Sequence, residues 1–142
     1  MADRTATATW QGGLFDGSGT TSLTSSGLAT DLAVSWPSRT EDPNGQTSPE
    51  ELIAAAHASC LSMALAKQLA DRDAAPQRLE TSATVSFVVG QGITTSALTV
   101  RVTAEGLTED ALAEAAEAAK TGCPVSQALA GNVEITLDAS LA

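Results

Sequence analysis

Ser48-Pro49-Glu50-Glu51-Leu52-Ile53-Ala54-Ala55-Ala56-His57-Ala58-Ser59-Cys60-Leu61-Ser62-Met63-Ala64 is the best-marked element of the chain. Ser48 is a preferred helix N-cap and Pro49 suits the first helical position. Glu51, three residues after Ser48, completes a capping box, and the alanines and long apolar residues that follow carry the helix to about Asp71. Glu51 thus has a structural task. Glu50 has none beyond an acid's favourable place in a first helical turn.

Before this helix, residues 4 to 36 are rich in Thr, Ser and Gly. Gly12-Gly13, Asp16-Gly17-Ser18-Gly19 and Ser26-Gly27 punctuate them as turns of a three-stranded meander, with Leu28, Thr30, Leu32, Val34 and Trp36 on one face of the third strand. Pro37 to Thr47 holds two prolines and Asn44-Gly45, which predicts a surface loop whose only basic residue is Arg39. After the helix, alternation predicts strands carrying Ala83, Val85, Phe87 and Val89, then Leu98, Val100, Val102 and Ala104, and last Val133, Ile135, Leu137, Ala139 and Leu141. Gly90-Gln91-Gly92 is the hairpin between the first two. Thr108-Glu109-Asp110 opens a helix that Lys120 and Gly122 close, and a short helix runs from Pro124 to about Ala130. Three strands, a long helix, two strands, two helices and a strand make an α+β domain.

At 142 residues and 43% hydrophobic, the chain suits a single domain over 1–142, with 1–36 as an N-terminal meander and 48–142 as a helix-and-sheet core. Seventeen acidic against seven basic residues give a net charge of −10 without any Lys/Arg cluster, which argues against nucleic acid as a partner. No apolar run approaches 18 residues and the first residues do not read as a signal peptide, so the expectation is no membrane and a cytoplasmic, reducing setting.

Two cysteines, 63 positions apart, carry the chemistry. Cys60 lies within the apolar helix and reads as an interior thiol; Cys123, in Thr121-Gly122-Cys123-Pro124, stands where one helix ends and another begins. Neither is part of a C-x-x-C pair and the chain has one histidine, so no metal site is expected. Thiol redox chemistry and a pair of unrelated reduced cysteines both fit the count. A free thiol with a pKa of about 8.5 is only about 3% thiolate at neutral pH, and burial raises the pKa further. Cys60 alone is therefore inert. A guanidinium about 4 Å away contributes up to roughly 4 kcal/mol at an effective dielectric near 20, and Arg39 is the least committed arginine, although Glu41 and Asp42 are also available to it. Glu50 could hold Arg39. Cys123 is different: with Pro124 as first helical residue it is an N-cap, where amides and the helix dipole favour a thiolate. His57 lies one turn before Cys60; as its base it would lack an orienting third group, so it reads as a packed polar residue near the site.

Pro49 to Ala64, together with Gly122-Cys123-Pro124-Val125-Ser126-Gln127 and the Trp10-Gln11-Gly12 start, resembles the OsmC/Ohr family of thiol peroxidases over nearly the whole chain. His57-Ala58-Ser59-Cys60, the Pro-Val-Ser after Cys123, and Arg39 in the loop before the long helix are similar to the osmotically induced OsmC branch. The resemblance implies antiparallel sheets around a long central helix in an intertwined dimer, with no metal or other cofactor. It also implies Cys60 as peroxidatic thiolate, Cys123 as resolving thiol, Arg39 as activator and Glu50 as the residue orienting Arg39. The implied substrates are organic hydroperoxides and, more weakly, hydrogen peroxide, encountered in oxidative and osmotic stress. A Cys60 sulfenic acid condenses with Cys123 to a disulfide that an external, lipoyl-type dithiol reduces. Ser59 and Leu61 stand where alanine and phenylalanine are common in the family, which bears on pocket shape.

The resemblance and the helix-end argument differ on which thiol attacks first. Spacing adds a point about assembly: Glu50 and Cys60 are ten residues apart on one helix, about 15 Å along its axis, so a homodimer with composite sites is the simplest way for Arg39 and Glu50 to serve a cysteine. A thiol-disulfide sensor or exchange protein without peroxidase turnover is the alternative function.

Overall fold

The computed structural model describes all residues from Met1 to Ala142. They form two compact units, Met1–Leu52 and Ile53–Ala142. In the first, strands β1 (Thr7–Gln11), β2 (Ser18–Ser22) and β3 (Leu32–Val34) form an antiparallel meander in the order β1-β2-β3. Hydroxyl pairs knit these polar strands together, among them Thr9 with Thr20 at 3.2 Å. Gly19 lies opposite Trp10, and a Cβ there would come within 2.2 Å of the Thr9 carbonyl oxygen, so only glycine lets the strands close at this point.

The first unit departs from expectation at its end. The third strand is shorter than its alternation suggests, because Asp31 adopts a left-handed φ of 52° and ends the extended run. Trp36 belongs instead to a short helix, α1 (Trp36–Thr40), where only loop was expected. Ser35 and Ser38 explain it. The Ser38 amide donates to Ser35 Oγ (3.2 Å) and the Ser35 amide donates to Ser38 Oγ (3.1 Å), a reciprocal cap with Pro37 in the first turn.

Helix α2 (Pro49–Ala70) follows within one residue of its expected end. Ser48 Oγ accepts the Glu51 amide at 3.2 Å, but the Glu51 carboxylate takes the Thr47 hydroxyl, so the box is closed from one side only. By length and a mean hydropathy of 1.3, α2 would satisfy a membrane-span criterion, a property hidden by the serines and histidine that interrupt its apolar residues. Its stripe Leu61, Leu65 and Leu69 is nonetheless fully buried in the core of the second unit.

The second unit contains β4 (Arg78–Val88), β5 (Gly92–Thr103) and β6 (Glu134–Leu141) in the order β4-β5-β6, with α3 (Glu109–Gly122) and α4 (Pro124–Leu129) between the last two strands. β4 and β5 are the expected hairpin, although β4 stops before Val89. β6 pairs with β5 in parallel, so this sheet is mixed rather than antiparallel. The cause is the connection: α3 and α4 carry the chain back along the sheet before β6 begins. The α2 stripe packs with Leu98, Val100 and Val102 of the central strand β5 and with Leu112, Ala115, Ala116 and Ala119 of α3. The α3 alanines keep that helix close to its neighbours.

Truncating this core has a definite expected cost. Leu98→Ala should lower unfolding stability by about 2–5 kcal/mol, whereas Arg78→Ala, which removes an exposed ion pair with Glu80, should change it by less than about 1 kcal/mol. Chemical denaturation followed by circular dichroism measures both, and equal effects would contradict the core described here.

Candidate active site

The stripe of α2 that faces the core begins with His57 and continues through Leu61, Leu65 and Leu69, four residues at a time. Cys60 stands about 100° around the helix from Leu61, off that stripe. It is half-buried and lines a cavity of about 310 Å³ with Met63, Ala64, Ala118, Ala119 and Pro124, and with Lys67 and Gln68 as polar lining. Cys123 is placed by its neighbour. Proline disfavours helical backbone in the preceding residue, so Cys123 is extended (φ −69°, ψ 119°), ending α3 and beginning α4. It is fully buried. The expected contrast is thus reversed: Cys60 is the accessible thiol and Cys123 the interior one, because helix composition does not say which face a residue occupies.

The two free thiols meet. Their Sγ atoms are 3.0 Å apart and share a hydrogen bond, about 1 Å from disulfide bonding distance. The chain's own electrostatics treat them differently. Burial and the neighbouring Cys123 push the Cys60 thiol up, against a smaller pull from the Val125 amide. Burial also pushes Cys123 up, but the Ser126 amide, the Cys60 thiol, the Ser126 hydroxyl and the Val125 amide outweigh it and bring Cys123 below the ordinary thiol value. The amides do not reach capping hydrogen-bond geometry and act as dipoles aimed at the sulfur.

Arg39 and Glu50 meet in the first unit. Arg39 Nε and Nη2 both donate to Glu50 Oε1, at 2.9 and 2.8 Å. α1 carries the arginine and the first turn of α2 the glutamate, whose side chain is 8% exposed, so the pair is largely withdrawn from water. Glu50 Oε2 is buried and finds no hydrogen-bond partner within the chain.

One cluster has no local trace in the sequence. His57, fully buried, shares hydrogen bonds with Ser96 Oγ at Nδ1 (2.7 Å) and with Ser126 Oγ at Nε2 (2.8 Å). These serines are 39 and 69 positions away, so only the folded arrangement of β5 and α4 against α2 brings them to the ring.

Two reduced cysteines in contact, one of them open to a largely apolar cavity, are placed so that they can join as a disulfide. The sequence places it within a family: the model described as "OsmC-like protein" matches residues 42–138, and the chain belongs to that family. It is 41% identical over 137 residues to Peroxiredoxin OsmC of Escherichia coli K12, covering 94% of this chain and 93% of the relative. It is 31% identical to the organic hydroperoxide resistance protein OhrA of Bacillus subtilis 168, covering 78% and 79%. Among solved structures, an organic hydroperoxide resistance protein OsmC from Legionella pneumophila superimposes with a TM-score of 0.73 over 99% of both chains, at 26% identity.

The thiol contact predicts the product of mild oxidation. Diamide treatment of dilute protein should consume both thiols and yield a peptide pair linking Cys60 to Cys123 within one chain, with no covalent dimer on a non-reducing denaturing gel. Chains joined through these cysteines would contradict the geometry.

Proposed function

We propose that the protein is a thiol-dependent hydroperoxide reductase in which Cys60 attacks and Cys123 resolves. The observation that carries the reading is the pair of free thiols 3.0 Å apart, of which only Cys60 opens to the cavity. Access decides the order: Cys123 has the lower pKa but is fully buried, so a peroxide in the cavity reaches Cys60 first. The mostly apolar lining favours an organic hydroperoxide over hydrogen peroxide. The names of the relatives, a peroxiredoxin and a hydroperoxide resistance protein, support the same activity.

In the first step the Cys60 thiolate attacks the terminal peroxide oxygen and the O–O bond breaks. The departing alkoxide takes a proton and leaves as alcohol, and Cys60 becomes a sulfenic acid. The Cys123 thiolate then attacks the Cys60 sulfur, the S–O bond breaks, and hydroxide leaves as water on protonation. An external dithiol, of lipoyl type in this proposal, reduces the disulfide by two exchanges and is itself oxidised to a disulfide.

Cys60 needs help to ionise, since burial and Cys123 both hold its proton on. Arg39, oriented by Glu50, supplies the cation from the second chain of a homodimer in this reading. Three features support that assembly. Glu50 and Cys60 are ten residues apart on continuous α2, about 15 Å of helix axis. Only 22% of the most apolar 18-residue window of α2 is buried within one chain, and Met63 on it is 68% exposed. Glu50 Oε2, buried without a partner, is an acceptor that a second chain can satisfy.

Single-turnover assays separate the roles. Cys60→Ser should abolish consumption of an organic hydroperoxide, while Cys123→Ser should react once and stop as a sulfenic acid that dimedone labels. A Cys60→Ser protein that still consumes peroxide at the wild-type rate would overturn the order. With a lipoyl dithiol, turnover should be faster on an organic hydroperoxide than on hydrogen peroxide.

Shared sites make a further prediction. Arg39→Ala and Cys60→Ser proteins, each impaired alone, should recover activity when their subunits are mixed and exchanged, because one heterodimer site regains both residues. No recovery after exchange, verified by native mass spectrometry, would remove the composite site.

A further inference from the structure

The inward face of β5 carries Ser96, Leu98, Val100 and Val102, and the inward stripe of α2 carries His57, Leu61, Leu65 and Leu69. Six of these eight residues form an apolar contact zone; the other two, Ser96 and His57, are a polar pair at the same end of both elements. Core positions otherwise filled by aliphatic side chains are here given to groups that must find hydrogen-bond partners, and replacing both by apolar residues would remove that demand. The polar pair leads somewhere specific. Ser126, hydrogen-bonded to His57 Nε2 and 5% exposed, is the third residue of α4, the helix whose N-cap is Cys123, and the Cys123 sulfur touches Cys60. Hydrogen bonds thus join Ser96, His57 and Ser126 in a buried line, and the Ser126 hydroxyl at its end is one of the groups that lower the Cys123 pKa.

Hydrogen counting gives that line a direction. Burial holds His57 below its ordinary pKa, in the neutral form, with one ring nitrogen donating and the other accepting. If the proton is on Nε2, His57 donates to Ser126 Oγ, accepts the Ser96 hydroxyl at Nδ1, and leaves the Ser126 hydroxyl hydrogen for Cys123. If it is on Nδ1, Ser126 spends its hydrogen on Nε2 and can only accept. A thiolate only accepts, so the first arrangement alone satisfies every partner once Cys123 has ionised.

We infer that His57 is a positioning residue for the resolving step: backed by Ser96, it holds the Ser126 hydroxyl as a donor to the Cys123 sulfur and so sets how fast the Cys60-Cys123 disulfide closes. The inference rests on the resolving role proposed for Cys123. In that step the Cys123 sulfur bonds to the Cys60 sulfur, the S–O bond of the sulfenic acid breaks, and hydroxide leaves as water with the proton that Cys123 gave up. Thiol plus sulfenic acid becomes disulfide plus water, and His57 exchanges no net proton. The groups that face Cys123 are the Cys60 thiol, the Ser126 hydroxyl and amide, and the Val125 amide; those that hydrogen-bond His57 are Ser96 and Ser126.

The test is the pH profile of closure, measured by dimedone trapping after one equivalent of an organic hydroperoxide. His57→Leu and Ser126→Ala should close on the order of tenfold more slowly at neutral pH, and each should approach the wild-type rate once pH exceeds the thiol range, because alkali then supplies the thiolate. His57→Gln, whose amide can donate in place of Nε2, should lie nearer to wild type than His57→Leu. Slowing by the same factor at every pH would mark a structural role and overturn the inference, as would profiles identical to wild type. Should His57→Leu fail to fold, Ser126→Ala decides. A second arm needs no peroxide: in Cys60→Ser protein, thiolate ultraviolet absorbance reports Cys123 alone, and adding Ser126→Ala should move its titration to higher pH. An unmoved titration overturns the inference. If wild-type protein forms no disulfide with hydroperoxide, the peroxidase reading fails, and this titration still decides whether His57 and Ser126 act on Cys123.

Discussion

Contact between the Cys60 and Cys123 sulfurs, 3.0 Å apart, is the constraint on which the chemistry proposed for this protein depends, and two unrelated local rules produce it. On α2, the four-residue stripe from His57 to Leu69 fixes the rotation of the helix against β5 and α3, and that rotation leaves Cys60 one step off the buried face. At the α3–α4 junction, Pro124 stops α3 and extends the residue before it, which puts the Cys123 sulfur at the start of a new helix. Either rule alone would leave a lone thiol. Together they make an accessible sulfur backed by a buried, more acidic one, the division of labour that attack and resolution require.

The second constraint is electrostatic. Within the chain, every large influence on Cys60 except the Val125 amide raises its pKa, while the amides, the Ser126 hydroxyl and the Cys60 thiol around Cys123 lower its pKa. For the attacking role proposed for Cys60, a guanidinium held by a carboxylate is a suitable activating partner, being always charged and directed by its fork. Arg39 and Glu50 form such a unit, with both donors on one carboxylate oxygen. In the proposed composite site, activation of Cys60 would depend on assembly.

Much of this was legible in the sequence wherever the signal was local. Ser48 and Thr108 mark the starts of α2 and α3, Gly90 to Gly92 marks the hairpin, and the alternation of Leu98, Val100 and Val102 marks the buried strand. What was missed depends on partners distant in the chain or on competing local rules. The prolines and Asn-Gly of residues 37–47 read as loop, but the reciprocal cap of Ser35 and Ser38 is strong enough to start α1. Alternation in β6 reveals which face is buried and says nothing about direction, so its parallel pairing follows only from the α3–α4 crossover. Which cysteine is buried depends on helix rotation, and the partners of His57 come from β5 and α4, neither visible from the residues around it.

The central claim is that peroxide oxidises the accessible sulfur first and that the buried sulfur then closes on it within the same chain. Rapid-quench intact-mass spectrometry of wild-type protein after one equivalent of an organic hydroperoxide follows both events directly. The account predicts a transient gain of one oxygen, localised to Cys60, followed by a species lacking two hydrogens with Cys60 joined to Cys123. An oxygen first localised to Cys123, or a stable oxygen adduct on Cys60 that never closes, would contradict it.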